Sequence, residues 1–279
     1  MKRIMVGMCR SPAQVQIAPI AVDLALRSKA VVTVMSLIDP DRVAPRRPPT
    51  AGVFPSKIKE QEDNLARALE EVSRPLNALK EAAEREGVEF QTKQVGESLD
   101  GSLCDLWQFQ DLIVLSNTPW LGGEASPRDV TQVLHFMVQG IRPILSVAPY
   151  ASLERKKAMV ALSGSLESAK ALKHFLQLTP WPAISLHLVT SGAPKSGADP
   201  EQLLADAAGY VADYGLEVTA ARLEAVKNRT EQLLGEAEAV GADTLVLGSS
   251  YRKFLTMERF GNHAQQLLAA FKGAVFLSH

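Results

Sequence analysis

Short apolar runs and longer amphipathic stretches alternate along this chain. LIVL (Leu112–Leu115) and TLVL (Thr244–Leu247) read as strands covered on both faces by helices, as in a parallel sheet. Between Ile58 and Gly87, the residues Leu65, Leu69, Val72, Leu76 and Leu79 recur at spacings of four and three. That places one apolar stripe along a helix, with Glu, Arg and Lys opposite. Pro75 inside the stripe predicts a kink or a split. A further helix, from about Arg229 to Val240, begins at Asn228 and stops at Gly241, both good cap residues.

The second half of the chain repeats the first. KRIMVGMCRS (Lys2–Ser11) matches KKAMVALSGS (Lys156–Ser165), and VVTVMSLIDP (Val31–Pro40) matches ISLHLVTSGAP (Ile184–Pro194). GVEFQTKQV (Gly87–Val95) matches GLEVTAARLEAV (Gly215–Val226), and DLIVLS (Asp111–Ser116) matches DTLVLG (Asp243–Gly248). RPILSVAP (Arg142–Pro149) matches GAVFLSH (Gly273–His279). Five strands therefore recur in one order with mostly helical chain between them. The pattern predicts an α/β protein of two tandem, doubly wound parallel units with right-handed crossovers. Residues 1–150 form the first unit and 151–279 the second, each with its own five-stranded layer. The stretch Asp39–Pro55 is proline-rich and is expected to be irregular. It leaves the carboxyl end of a strand, the ligand side of such sheets, which leaves open both a lid and a solvated loop.

Composition narrows the function without naming it. A chain of 279 residues that is 46% hydrophobic and 22% charged can bury a substantial core. A net charge of -1 gives no electrostatic reason to expect nucleic acid or an anionic membrane as partner. Two cysteines, Cys9 and Cys104, imply no disulfide framework and suit the cytoplasm. Cys9 ends a first strand, while Cys104 lies among Leu103, Leu106 and Trp107; both read as buried thiols. The first residues lack a signal-like apolar run, and nowhere do about 18 apolar residues follow one another.

These residues resemble the tandem universal stress proteins over essentially the whole chain. The resemblance implies sheets ordered 3-2-1-4-5, of the adenine nucleotide alpha hydrolase-like type. It also implies that the two repeats pair with each other through their final strands, an intramolecular pseudo-dimer. Nucleotide-binding members carry G-x2-G-x9-G-[ST] after the fourth strand. Its glycines admit backbone N–H groups to phosphate, and the following helix adds its positive end. In the second repeat that frame reads Gly248, Tyr251, Gly261, Asn262, with His263 next and Arg252 and Lys253 within. The middle glycine is replaced by a residue whose Cβ resists positive φ. In the first repeat the frame reads Ser116, Pro119, Asp129, Val130, and the nearby Gly122 and Gly123 are out of register. The family's Asp-Gly-Ser after the first strand becomes Cys9-Arg10-Ser11 and Ser163-Gly164-Ser165. Any functioning site is therefore expected in the second repeat.

Other chemistry has less support. SGSLES (Ser163–Ser168) also resembles the S-G-G-x-D-S loop of ATP-pyrophosphatases, though a serine-rich helix cap with Glu167 at the positive end explains the same residues. His135, His174, His187, His263 and His279 form no zinc-binding spacing. His187 is expected on the polar side of its strand or packed within. No nucleophile elbow occurs, and the acids of a receiver domain are missing. Three readings follow. The first is a non-enzymatic stress-response sensor or adaptor that binds ATP or AMP through Ser163, Gly164, Ser165, Gly248, Ser249, Gly261, Asn262 and His263. The second is a ligand-free interaction protein of the same fold, and the third a weak nucleotide hydrolase. Association between two copies rests on the base rate of symmetric homodimers alone.

Overall fold

The computed structural model describes residues 1–8, 14–36, 55–93, 107–117, 143–152, 154, 156–178, 181, 183–249, 251–254, 257–260 and 262–279. Cys9, Arg10, Ser11, residues 39–54 of the proline-rich stretch, Cys104, Pro119, the Gly122-Gly123 pair, Asp129, Val130, His135 and Gly261 lie outside the described residues.

The first repeat supplies β1 (Arg3–Met8), β2 (Val31–Ser36), β3 (Phe90–Lys93), β4 (Leu112–Ser116) and β5 (Ile144–Val147). The second supplies β6 (Lys157–Ala161), β7 (Ser185–Ser191), β8 (Val218–Leu223), β9 (Thr244–Gly248) and β12 (Ala274–Ser278). Their spatial order is β3-β2-β1-β4-β5-β12-β9-β6-β7-β8, which is 3-2-1-4-5 in each repeat. Neighbours within a repeat are parallel. The final strands β5 and β12 pair antiparallel, from Ala274 opposite Val147 to Leu277 opposite Ile144. The two expected layers thus join at their last strands into one ten-stranded sheet.

Helices cover both faces because side chains alternate along each strand. On one face lie α1 (Gln14–Ser28), α2 (Pro55–Arg85), α3 (Leu166–Leu178) and α4 (Pro200–Ala212). Val160, Val246 and Phe276 point to that side, where Phe276 meets the edge of Phe175 with centroids 5.2 Å apart. On the other face α5 (Arg229–Ala239) and α6 (Asn262–Ala270) pack over Met159, Leu245, Leu247 and Val275. Across the seam between repeats, Trp181 donates from Nε1 to Asp23 of α1 at 3.0 Å. No helix among the described residues is long and apolar enough to cross a membrane.

Local chemistry explains several element ends. Asn228 caps α5 by accepting from the Glu231 N–H at 3.3 Å, and Gly241 beyond its end has φ +67°, as read from sequence. Asp199 caps α4 the same way from Gln202. Three details of α2 differ from expectation. It begins at Pro55, the last residue of the stretch read as irregular, since proline suits a first helical position. It also runs unbroken through Pro75, because Val72 and Leu79, buried on either side of the proline, anchor it to the same core. Leu69 is 50% exposed while Ala68 is buried. The stripe therefore runs through small alanines, which a count of large apolar residues overlooks.

The aspartates of the matched DLIVLS and DTLVLG runs do the same work in each repeat. Asp111 Oδ2 accepts from the N–H groups of Lys2 at 2.6 Å and Arg3 at 3.1 Å. Asp243 Oδ2 accepts from Lys156 at 2.6 Å and Lys157 at 3.0 Å. Each carboxylate ties the start of its repeat's first strand to the start of the fourth. We expect Asp243→Ala to destabilise the fold by about 1–3 kcal/mol through the amides left without this acceptor, and Asp111→Ala likewise, read by denaturant unfolding. Phe175→Ala should cost about 3–5 kcal/mol.

Candidate functional site

In the second repeat β6 lies between β9 and β7, so the chain leaves the ends of β6 and β9 in opposite directions. Open α/β sheets bind ligands at such a switch point. A cleft of about 150 Å³ opens there, the size that accepts one six-membered ring. Its walls are apolar where α5 and α6 approach the sheet, through Leu233, Leu247 and Leu267. Its rim is polar: Ser163 follows β6, Ser191 ends β7, Ser249 follows β9 and His263 stands in the first turn of α6. Lys195, in the loop after β7, and Arg229, the first residue of α5, complete it.

Of the residues singled out from sequence, Ser163, Gly248, Ser249 and His263 line this cleft. Gly164 and Ser165 stand beside it in the β6–α3 turn. Asn262 opens α6. Gly261 lies outside the described residues.

The serines of SGSLES form a cap. Ser165 Oγ accepts from the Ser168 N–H at 3.3 Å and from Ser163 Oγ at 3.1 Å, and Ser168 Oγ donates to the Ser165 carbonyl at 2.8 Å. Glu167, in the first turn of α3, has its carboxyl held below the ordinary value of 4.5. The Ser165 hydroxyl is the main cause and its own backbone N–H follows; burial opposes them, and the charges of Lys195 and His279 add smaller lowering effects.

Two glycines have packing reasons independent of any ligand. A Cβ on Gly248 would overlap the backbone of Glu167 and Ser168, so its absence lets the start of α3 rest on the end of β9. Gly164 has φ +69°, and a Cβ there would come within 2.6 Å of Pro194 Cβ. That close approach lets the Lys195 N–H donate to the Ser163 carbonyl at 2.8 Å, which fixes the loop carrying Lys195 against the turn.

His263 is exposed, and its Nδ1 lies 3.2 Å from Thr230 Oγ1, which donates to Gln266 Oε1 at 2.6 Å. These bonds tie the starts of α5 and α6 together. His279 donates from Nδ1 to the Ser249 carbonyl at 2.8 Å. His187 is buried in the sheet, 2.7 Å from Thr219 Oγ1 and 2.9 Å from Glu236 Oε1. Among the described residues no group of three or more His, Cys, Asp or Glu is placed to hold a metal.

Sequence reasoning missed Ser191, Lys195, Arg229 and Leu233, the β7 side of the cleft. The available signal was the one applied to the first repeat: a loop leaving the carboxyl end of the second strand faces the ligand side. The segment between Gly248 and Gly261 also differs from the loop expected. It contains an antiparallel hairpin, β10 (Tyr251–Phe254) with β11 (Met257–Phe260), in which Tyr251 pairs with Phe260.

No family model matches the sequence, and no curated protein matches it. Solved structures are similar in fold. The universal stress protein from Archaeoglobus fulgidus DSM 4304 aligns with a TM-score of 0.64 at 14% identity, over 99% of this chain and 97% of that one. A functionally unknown protein from Pseudomonas aeruginosa PAO1 aligns at 0.61 and 15% identity, over 100% of this chain and 92% of that one. The fold of this chain is that of a tandem universal stress protein.

Gly248→Ala should destabilise the protein by about 1–3 kcal/mol with no ligand present, as overpacking does, measured by thermal unfolding. Ser165→Ala should cost about 0.5–2 kcal/mol of helix capping. The same change should move the Glu167 pKa up towards 4.5, seen by NMR titration. Because that carboxyl is depressed in the folded chain, its stabilisation is complete above its ordinary value and is lost as pH falls through the lowered one. Ser165→Ala should therefore flatten this part of the acid destabilisation.

Proposed function

We propose that this protein is a non-enzymatic universal stress protein, a cytoplasmic sensor or adaptor in a stress response. Its second repeat binds AMP or ATP. The observation that carries the reading is the ring-sized apolar cleft at the switch point of β6 and β9, rimmed by hydroxyls and cations. The fold shared with a universal stress protein over nearly the whole of both chains supports the same class. The six-membered ring of the base would enter between Leu233 and Leu267, and the five-membered ring, ribose and phosphates would lie towards the rim.

A ligand-free adaptor of the same fold is the second reading. It is favoured by Gly248, Gly164 and Ser165, each of which has a structural reason of its own. Hydrolysis is the weakest, since the Ser163 and Ser165 hydroxyls are engaged in the α3 cap.

Equilibrium dialysis with labelled AMP and ATP separates the first two. One nucleotide per chain is expected, and Ala193→Trp, at an exposed position on the rim, should block it without unfolding the protein. Absence of binding at millimolar nucleotide would leave the ligand-free reading.

A further inference from the structure

Among the described residues the two cations of the cleft have no ion-pair partner. Arg229 is half-buried, and its Nη2 lies 3.2 Å from where a Cβ on Gly192 would stand, so the guanidinium rests against the loop after β7. Lys195 belongs to that loop and is held by its backbone bond to Ser163. Neither side chain has an ion pair or a hydrogen bond among the described residues. Glu167 feels the Lys195 charge, but its carboxylate is engaged by Ser165 and it does not line the cleft. A half-buried guanidinium without a partner is costly, and a planar fork beside an ammonium suits a phosphate.

After β9, the segment expected to cradle phosphate contains the hairpin of β10 and β11, whose ladder engages backbone groups that a glycine loop would leave open. Ser249 supplies a separate observation. It lines the cleft, is 1% exposed, and its Oγ is buried without a hydrogen-bond partner. Such a hydroxyl is expected to find one, and the polar edge of a bound ring would provide it.

The geometry points to an anion site on the β7 side of the cleft, in which Lys195 and Arg229 bind the phosphate of a ring-bearing phosphate monoester. The ring fills the apolar cleft and meets Ser249, and the phosphate lies away from the glycine-framed segment after β9. This rests on the cleft being a ligand site, as proposed above, but does not require a nucleotide.

The test compares two pairs of probes, AMP with adenosine and 1-naphthyl phosphate with 1-naphthol, on the full chain and on its Lys195→Ala/Arg229→Ala variant by calorimetric titration. In the natural protein the phosphorylated member of each pair should bind about tenfold tighter or more. The double variant should lose that preference while keeping its affinity for the uncharged members. Lys195→Ala alone, at an exposed side chain, guards against a folding defect and should lower the preference severalfold. If only the naphthyl pair behaves this way, the anion site stands and the nucleotide reading falls. If AMP binds and the double variant retains the phosphate preference, the anion site is overturned and the nucleotide reading stands. Binding of none of the four overturns both.

Discussion

In each repeat one carboxylate fixes where the first strand begins against the fourth. Asp111 and Asp243 each accept two backbone N–H groups across more than eighty residues of chain. The carboxyl ends of the same strands follow from that alignment. With β6 and β9 in register from Ala158 opposite Thr244 to Ala161 opposite Leu247, Ser163 and Ser249 emerge side by side. The crevice exists because the connections after those strands diverge, and its contents depend on the alignment set at the other end. A shift of one residue would exchange the faces of Leu247 and Val246 and bring the Cβ of Leu247 or Ser249 to the place where α3 needs bare backbone.

That last contact changes what a glycine means. Gly248 and Gly164 occupy positions at which the family resemblance expects small residues around a phosphate. Each would be required here without any ligand, one by the start of α3 and the other by the loop after β7. Glycine at a motif position therefore reports a close approach and does not say to what. Side chains with no structural partner are more informative about ligands. Among the described residues, Lys195, Arg229 and the Ser249 hydroxyl have no side-chain hydrogen bond or ion pair and are distinguished for that reason.

The fold was legible in the sequence because its determinants are periodic or local. Apolar runs placed the inner strands of the sheet, the match between the repeats placed β3 and β8 and gave the same order twice, and Asn228 and Gly241 marked a helix by chemistry confined to a few residues. The candidate site was legible only on its β6 and β9 sides, where the motif lies in continuous sequence. Its other side is assembled from a loop and a helix start more than thirty residues apart in the chain, and no spacing rule joins Lys195 to Arg229. The hairpin was hidden for a different reason. YRKF and MERF mix charged and apolar residues over only four positions each, too short for a period of two to stand out. Pro75 and Leu69 were misjudged because burial, which local propensity does not contain, decided both.

The antiparallel seam between β5 and β12 joins the two repeats edge to edge. In an assembly of separate chains such a junction forms and dissolves with dilution. Here the partner is always attached, at an effective concentration set by the covalent linker, so the pairing holds however scarce the protein becomes. Among the described residues the outer strands of this sheet are β3 and β8; β3, FQTK, is short and largely polar, and β8 carries Thr219 and Arg222 among its apolar residues, features that discourage further strands from adding. A tethered pair of this kind also has no symmetry to preserve. One half can drift in its ligand chemistry while continuing to serve as the other's missing neighbour.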